Sequence, residues 1–423
     1  MHINFILSPL PFLGDPRRNA PLGVLSLAAV TERAGYRTSI TDLRDADPAA
    51  CLEQIPKADV FGFSATTPEY PLCRDLARKI RTRFPEALFI LGGVHGTVCS
   101  KSIDPVFDVV VVGEGEEVLL DLLRQCRSGR PQGVHRSGPL ADLTQLPWPA
   151  RHLVPKESFI STSLVEKGRP ATTLMTSRGC AFDCSFCASR SMWGRKCRHR
   201  SVEDVIEEIQ DLRTRYGVEQ LRFQDDDLAM NKKWLFEFCE RLKPLKMVWR
   251  SNGRTDNAGR DILTAMRDAG CDEIGFGIES PEPAVLSRCN KKARVEDAYE
   301  ALRVVRELGM KSRIFLIIGL PGQDLSVATN MITFIKETQP SAVDLSTFVP
   351  FPGSDIHQNP ADYGITLRDD IDFGDYVMTR GLYGDERNKD FVFKHDILTN
   401  EQLKSLRSEV LDFIRDYNLV HNQ

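Results

Sequence analysis

Short apolar runs alternate with stretches of helical periodicity along the first 125 residues. The runs at 2–7, 59–65, 88–93 and 108–113 are almost continuously apolar or β-branched, the pattern of strands buried on both faces. Residues 37–43 alternate instead and run through Asp42. Between the runs, 22–33 carry apolar residues at helical spacing and stop at Gly35, and 68–84 form an amphipathic helix with Arg and Lys outward. A Glu-rich helix start at 114–117 follows the last run. This alternation predicts an α/β domain over 1–130 with a parallel, doubly wound sheet, whose ligands bind beyond the carboxyl ends of its strands. Those ends read Ser-Ala-Thr-Thr-Pro-Glu at 64–69, Gly-Gly-Val-His-Gly-Thr at 92–97 and Gly-Glu-Gly-Glu at 113–116. Glycines and hydroxyls suit an edge where a large ligand approaches the backbone.

From 131 to 169 the periodicity fades while Pro and Gly accumulate, as in a linker. Alternation resumes with candidate strands at 172–177, 220–224, 247–251, 273–278, 313–318 and 343–349. Helical segments at 202–216, 233–241, 261–269, 295–308 and 326–337 separate them. Six strand–helix repeats within 170–350 predict a parallel barrel or most of one. Residues 351–423 are loop-rich, then helical over 400–417, and read as a short cap on the barrel mouth.

Composition narrows the class without choosing a function. Lys and Arg number 55 against 59 Asp and Glu, so the net charge of −4 draws the whole chain to neither nucleic acid nor anionic lipid. No apolar run approaches the roughly 18 residues of a spanning helix, and Met1-His2-Ile3 lacks the basic start of a signal peptide. The eleven cysteines are odd in number and mostly scattered singly, which points to the cytoplasm rather than to a disulfide framework.

One cysteine group stands apart, in Ser-Arg-Gly-Cys-Ala-Phe-Asp-Cys-Ser-Phe-Cys at 177–187. Cys180, Cys184 and Cys187 can wrap one side of an iron–sulfur cube that normally takes four thiolates, leaving one iron open to an outside ligand. By counting alone, Cys197 and His199 downstream keep a zinc site or a four-cysteine cluster open, although this spacing is unusual for zinc. The basic run Arg190, Arg195, Lys196, Arg198, His199 and Arg200 reads as a solvated or salt-bridged face rather than a nucleic-acid site.

The C-x3-C-x2-C spacing resembles the signature of the radical S-adenosylmethionine (SAM) superfamily. Further segments resemble that family in the expected order: Leu-Arg-Phe-Gln-Asp-Asp-Asp at 221–227, Gly-Phe-Gly-Ile-Glu-Ser at 275–280, Ile-Ile-Gly-Leu-Pro-Gly at 317–322 and Phe-Pro-Gly-Ser at 351–354. In the first domain, Pro21-Leu22-Gly23 and the strand ends resemble the cobalamin-binding domain of the B12-dependent members. The resemblance covers about residues 3–355 and implies a Rossmann-like cobalamin domain followed by a partial (β/α)6 radical SAM barrel.

The resemblance also implies a [4Fe–4S] cluster on Cys180, Cys184 and Cys187, with SAM and cobalamin as further cofactors. It assigns Phe186, Asp225, Asp226, Arg254, Glu279, Gly319 and Pro321 to SAM, with Glu279 on the ribose. To cobalamin it assigns Ser64, Thr66, Thr67, Glu69, Gly92, Gly93, His95, Gly96, Thr97, Gly113, Glu114, Gly115 and Glu116. The cobalt-ligating D-x-H-x-x-G signature is absent; Asp355-Ile356-His357 lacks its glycine and lies in the wrong domain. Many members lack it too. His95 is therefore expected at the corrin edge or in plain loop packing, and Glu114 and Glu116 on corrin amides, on the nucleotide tail or as helix caps.

The implied activity is methylation of an unactivated carbon in a small metabolite or natural-product intermediate, with a flavodoxin- or ferredoxin-type protein as one-electron donor. No single residue is marked as catalytic. A radical rearrangement, dehydration, cyclisation or epimerisation without methyl transfer is the alternative. An iron–sulfur electron-transfer or sensor protein is a weaker one.

Overall fold

A computed structural model describes residues 1–47, 51–370, 372–376 and 389–421. The first sheet comprises β1 (His2–Leu7), β2 (Arg37–Asp42), β3 (Val60–Ser64), β4 (Leu88–Gly92), β5 (Val109–Val112) and β6 (Gly133–Arg136). Its order is β2-β1-β3-β4-β5-β6, and every pairing is parallel. Strand residues alternate between two cores. Phe5, Ile90 and Val111 pack with Val24 and Leu119 from helices Leu22–Arg33 and Gly115–Gln125. Ile6, Phe63 and Leu91 meet Leu76 and Ile80 from helix Tyr70–Arg83 on the other face. The chain leaves β1 for β2 and returns on the opposite side at β3, which makes the ends of β1 and β3 the switch point where such sheets bind ligands.

β6 lies inside the stretch read from sequence as a linker, so the sheet extends past residue 130. It is an exposed edge strand of four residues, too short and too polar to leave an apolar pattern. The connection that follows is tied to the second unit rather than loose. Trp148 Nε1 donates to Asp204 at 2.7 Å, and the buried Arg151 pairs with the buried Glu208 at 2.6 Å.

The second unit begins with β7 (Ala171–Leu174) and a two-stranded antiparallel stem, β8 (Ser177–Arg178) and β9 (Arg198–His199). β10 (Gln220–Phe223), β11 (Val248–Gly253), β12 (Cys271–Glu279), β13 (Lys311–Ile318) and β14 (Ala342–Thr347) then line up beside β7 in sequence order, all parallel. Phe223, Trp249 and Phe276 turn towards the covering helices and form one core with them. Register neighbours Arg222, Arg250 and Glu273 take the alternate positions, on the inner face of the partial barrel. Ser201 accepts from the Asp204 N–H to start helix Val202–Tyr216, and Gly217, at φ 71°, ends it.

The C-terminal segment does more than cap the mouth. β15 (Ile365–Leu367) pairs antiparallel with β16 (Phe393–His395), and the rings of Phe391 and Phe393 press on the turn after β13. Helix Asn400–His421 instead covers the free side of β14. There the Asn418 side chain both donates to the Val343 carbonyl at 2.9 Å and accepts from the Val343 N–H at 3.1 Å. Among the described residues, no helix is long and apolar enough to cross a membrane.

Candidate active site

The β8–β9 stem carries a loop that holds all three cysteines of the triplet. Gly179 turns the chain into this loop at φ 96°, and a Cβ there would stand 2.5 Å from the Lys196 carbonyl oxygen on the returning side. Only glycine fits. The Ser185 N–H donates to the Cys289 carbonyl at 2.9 Å, the Ile356 N–H to the Ser185 carbonyl at 3.0 Å, and Asn290 Nδ2 to the Asp183 carbonyl at 2.7 Å. These bonds hang the loop from the barrel's far side. The three cysteines are free thiols, Cys180 and Cys184 half-buried and Cys187 exposed. Burial raises the Cys180 thiol above its ordinary value. Arg254, at the end of β11, lies 3.6 Å from Cys184 Sγ and stacks on the Phe182 ring at 3.5 Å. Cys197 and His199 sit in the stem, where His199 packs against the Trp234 ring. The donor set fits a cluster held by three protein thiolates.

The carboxylates after β10 have different surroundings. Asp225 is buried and accepts from the Thr176 hydroxyl at 2.7 Å and the Ser177 hydroxyl at 2.5 Å, which ties β10 to the end of β7; burial raises its carboxyl above the usual range. Asp227 is buried too, and accepts from the Ala229 N–H and from Asn257. Asp226 is exposed and accepts from the Ser189 hydroxyl at 2.6 Å, while the Ser189 N–H points to Cys187 Sγ at 3.4 Å.

Glu279 ends β12 at φ 65° with its carboxylate on Lys291 at 2.8 Å. After β13 the turn at Gly319, Leu320 and Pro321 is fixed by Gln323 Oε1, which accepts from the Gly319 N–H at 2.7 Å and the Leu320 N–H at 3.0 Å. Phe186 packs against the barrel core. Asp226, Arg254, Glu279 and Gly319 thus mark successive strand ends, the first two in contact with the cysteine loop, with Asp225 turned into the protein.

At the switch point of the first sheet a cavity of about 310 Å³ is lined by Ser8, Arg44, Ser64 and Glu69. Ser8 Oγ is buried there without a partner, and burial raises the Glu69 carboxyl. Beside it an apolar slot of about 100 Å³ runs between the sheet and its helices. Phe5, Gly62, Ile90 and Val111 form its base, and Gly92, Gly93 and the 113–116 segment form its lip. Gly93 holds φ 83°, and a Cβ on it would meet Ser64 Oγ at 2.6 Å. Thr97 Oγ1 accepts from the Gly113 N–H at 3.1 Å and fixes the two lips together. Gly96 is buried in the short helix Gly93–Val98, and the Thr66 N–H donates to Glu69 at 2.8 Å. An orphaned polar group at the rim and a glycine-walled apolar slot fit a corrinoid, which has amide-bearing edges and an aromatic tail.

His95 is fully buried. It stacks on Tyr70 at 4.0 Å, meets the Phe373 ring edge-on at 4.7 Å and lies 3.4 Å from the Thr67 hydroxyl, and burial lowers its pKa to about 4. Its surroundings are aromatic packing, with Nε2 buried without a hydrogen-bond partner.

Glu114 and Glu116 reach across to the other unit. Arg178 forks between them, 2.9 Å from Glu114 and 2.6 Å from Glu116, and Arg198 binds the second Glu114 oxygen at 2.5 Å. The sequence reading gave Arg178 no role and took Arg198 only as part of a solvated or salt-bridged face; the available signal for this array was their placement immediately outside the cysteine loop. It also missed the inner-face charges, where Glu273 bridges Arg250 at 3.3 Å and Arg313 at 3.1 Å. In the rest of the basic run Arg190 and Arg195 are salt-bridged to Asp183 and Arg200 to Asp204 and Glu208, while Lys196 is exposed.

Fold and site together define an enzyme with a corrinoid-type sheet edge set against a three-cysteine loop on a partial barrel. The family models agree: the radical SAM superfamily matches residues 174–335 and the B12 binding domain matches 18–123. The chain belongs to the radical SAM superfamily, in its cobalamin-dependent branch, and its cofactors are a [4Fe–4S] cluster, SAM and cobalamin.

An uncharacterized methyltransferase of Pyrococcus horikoshii is 28% identical over 79% of this chain and 77% of its own length. Cytidylyl-2-hydroxyethylphosphonate methyltransferase of Streptomyces wedmorensis is 25% identical over 95% of this chain and 87% of its own. The anaerobic magnesium-protoporphyrin IX monomethyl ester cyclase of Cereibacter sphaeroides is 26% identical over 84% and 61%. Among solved structures, the radical SAM methyltransferase TsrM of Kitasatospora setae superposes with a TM-score of 0.71 at 16% identity, over 98% of this chain and 89% of that one.

Proposed function

We propose that the enzyme transfers a methyl group to an unactivated carbon of a small polar substrate held inside the partial barrel. The observation that carries this reading is the slot in the first sheet, one wall of which is Arg178, Met192 and Trp193 from the cysteine-bearing loop. A corrinoid seated there lies beside the loop, as a methyl carrier must. Bound at these sites, the cluster supplies the electron that cleaves SAM and cobalamin carries the methyl group. Cys180, Cys184 and Cys187 hold the cluster. Asp226, exposed beside Cys187, accepts the SAM ammonium, and Arg254, held by Asp256 at 2.8 Å, offers its Nη1 side to the carboxylate. Glu279 and Lys291 orient the ribose hydroxyls. Ser8, Ser64 and Thr66 meet the corrin rim, and the apolar slot shields the nucleotide tail. The charged pairs on the barrel's inner face suit a polar substrate rather than a lipid.

The test is anaerobic reconstitution with iron, sulfide, hydroxocobalamin and SAM under dithionite, followed by quantifying the SAM products. S-adenosylhomocysteine and methylcobalamin formed together with 5′-deoxyadenosine, which carries off the hydrogen of the unactivated carbon, support the reading. 5′-Deoxyadenosine alone removes methyl transfer and leaves a non-methylating radical enzyme, the outcome that the cyclase among the relatives favours. A protein that cleaves no SAM at all is neither.

A further inference from the structure

Glu114 binds both ends of the cysteine loop. Its two oxygens take Arg178, on the outgoing strand of the stem, and Arg198, on the returning one. Glu116 holds the other arm of the Arg178 fork. Glu114 and Glu116 are buried and both arginines nearly so, which makes this a desolvated array rather than a surface ion pair. The same two glutamates form the lip of the apolar slot, and Arg178 belongs to its opposite wall. A ligand filling the slot therefore touches both units at once, and it fits only when the stem is docked on the lip.

We propose that Glu114 is a positioning residue that couples the two cofactor sites: docking of the stem through Glu114 and filling of the slot by cobalamin favour each other. The inference rests on the cobalamin reading of the slot. A ligand that binds only the docked arrangement loses apparent affinity in proportion to the docked fraction. Coupling is also reciprocal, so cobalamin must steady the loop that receives the cluster. A bidentate guanidinium is needed to hold two carboxylates at once, which a lysine ammonium cannot imitate.

The experiment uses the full chain without its cluster, titrated with hydroxocobalamin and followed by the corrin spectrum after gel filtration. Glu114→Gln and Arg178→Lys are expected to weaken hydroxocobalamin binding about tenfold, with Arg178→Lys the milder of the two because it keeps one contact. Hydrogen exchange over 179–197 supplies the readout that a general loss of structure would not give. Without corrinoid the loop should exchange faster in Glu114→Gln than in the wild type, and hydroxocobalamin should slow it in both, in the variant only at about tenfold higher concentration, while exchange in β10–β14 stays equal in the two proteins.

Wild-type affinity in Glu114→Gln, or an empty loop that exchanges no faster after the substitution, overturns the proposal. So does a wild-type loop that hydroxocobalamin fails to protect. If the wild-type chain retains no corrinoid, it is the cobalamin reading of the slot that fails, and the coupling falls with it.

Discussion

Two side chains set the residue scale, an imidazole enclosed by rings and a thiol beside a guanidinium. His95 has a folded pKa of about 4, below its ordinary 6.5, because burial disfavours its charged form. The unfolded chain takes up a proton between those values and the folded chain does not. Stability is therefore full above pH 6.5 and is lost as pH falls through 4, by at most about 3 kcal/mol from this residue. Urea midpoints of the cofactor-free protein should fall from pH 7 to pH 4.5, and His95→Phe should flatten that part of the slope. Cys184→Ala is expected to abolish cluster absorbance and reductive SAM cleavage while the first sheet keeps its circular dichroism and corrinoid binding. The cysteines were legible because metal ligation needs fixed residue types at fixed spacing. Asp225 was not, since its sequence neighbours give no hint that Thr176 and Ser177 saturate it from another strand.

At the scale of elements, Gly179 and the Asp225 tie decide whether the loop keeps its stem. Gly179→Ala places a methyl group 2.5 Å from a backbone oxygen, with φ in the left-handed region, so the stem must open. Its iron content after reconstitution should fall several-fold below wild type, measured per folded chain. Asp225→Ala leaves the Thr176 N–H and two hydroxyls without their acceptor and should cost about 1–3 kcal/mol in chemical denaturation. The long, strongly patterned strands and helices were readable to within a few residues. Helix Gly93–Val98 was not, being six residues with two glycines, nor was β6, which lacks an apolar face. Short elements of this kind take their shape from tertiary contacts and leave no period of their own.

Over the whole molecule, the order of the two α/β units was plain in the alternation of strands and helices, but their attachment was not. It rests on the Glu114 and Glu116 array with Arg178 and Arg198, on a small apolar cluster in which Ala20 and Leu25 meet Phe159, and on scattered polar pairs: Ala20 N–H to Thr173 Oγ1 at 3.0 Å, Gln224 to Asn19 at 3.0 Å, and Arg151 on Glu208. Arg151→Met removes one of the two arginines that neutralise the buried Glu208 and should destabilise the protein by about 3 kcal/mol, read from urea unfolding. Glu208→Gln in the same background should recover part of that loss, because the uncompensated charge is gone.

The carboxamide of Asn418 has a consequence of its own. A half-open barrel must end in a strand whose peptide groups have nothing beside them, and such a margin recruits other chains. Asn418 meets the two such groups of one residue, the N–H and the carbonyl of Val343, with a matched acceptor and donor, a plug the width of a single residue. A chain shortened to residue 399 would bare that margin, and should come off a sizing column as dimers and larger aggregates instead of the species given by the chain of 423 residues.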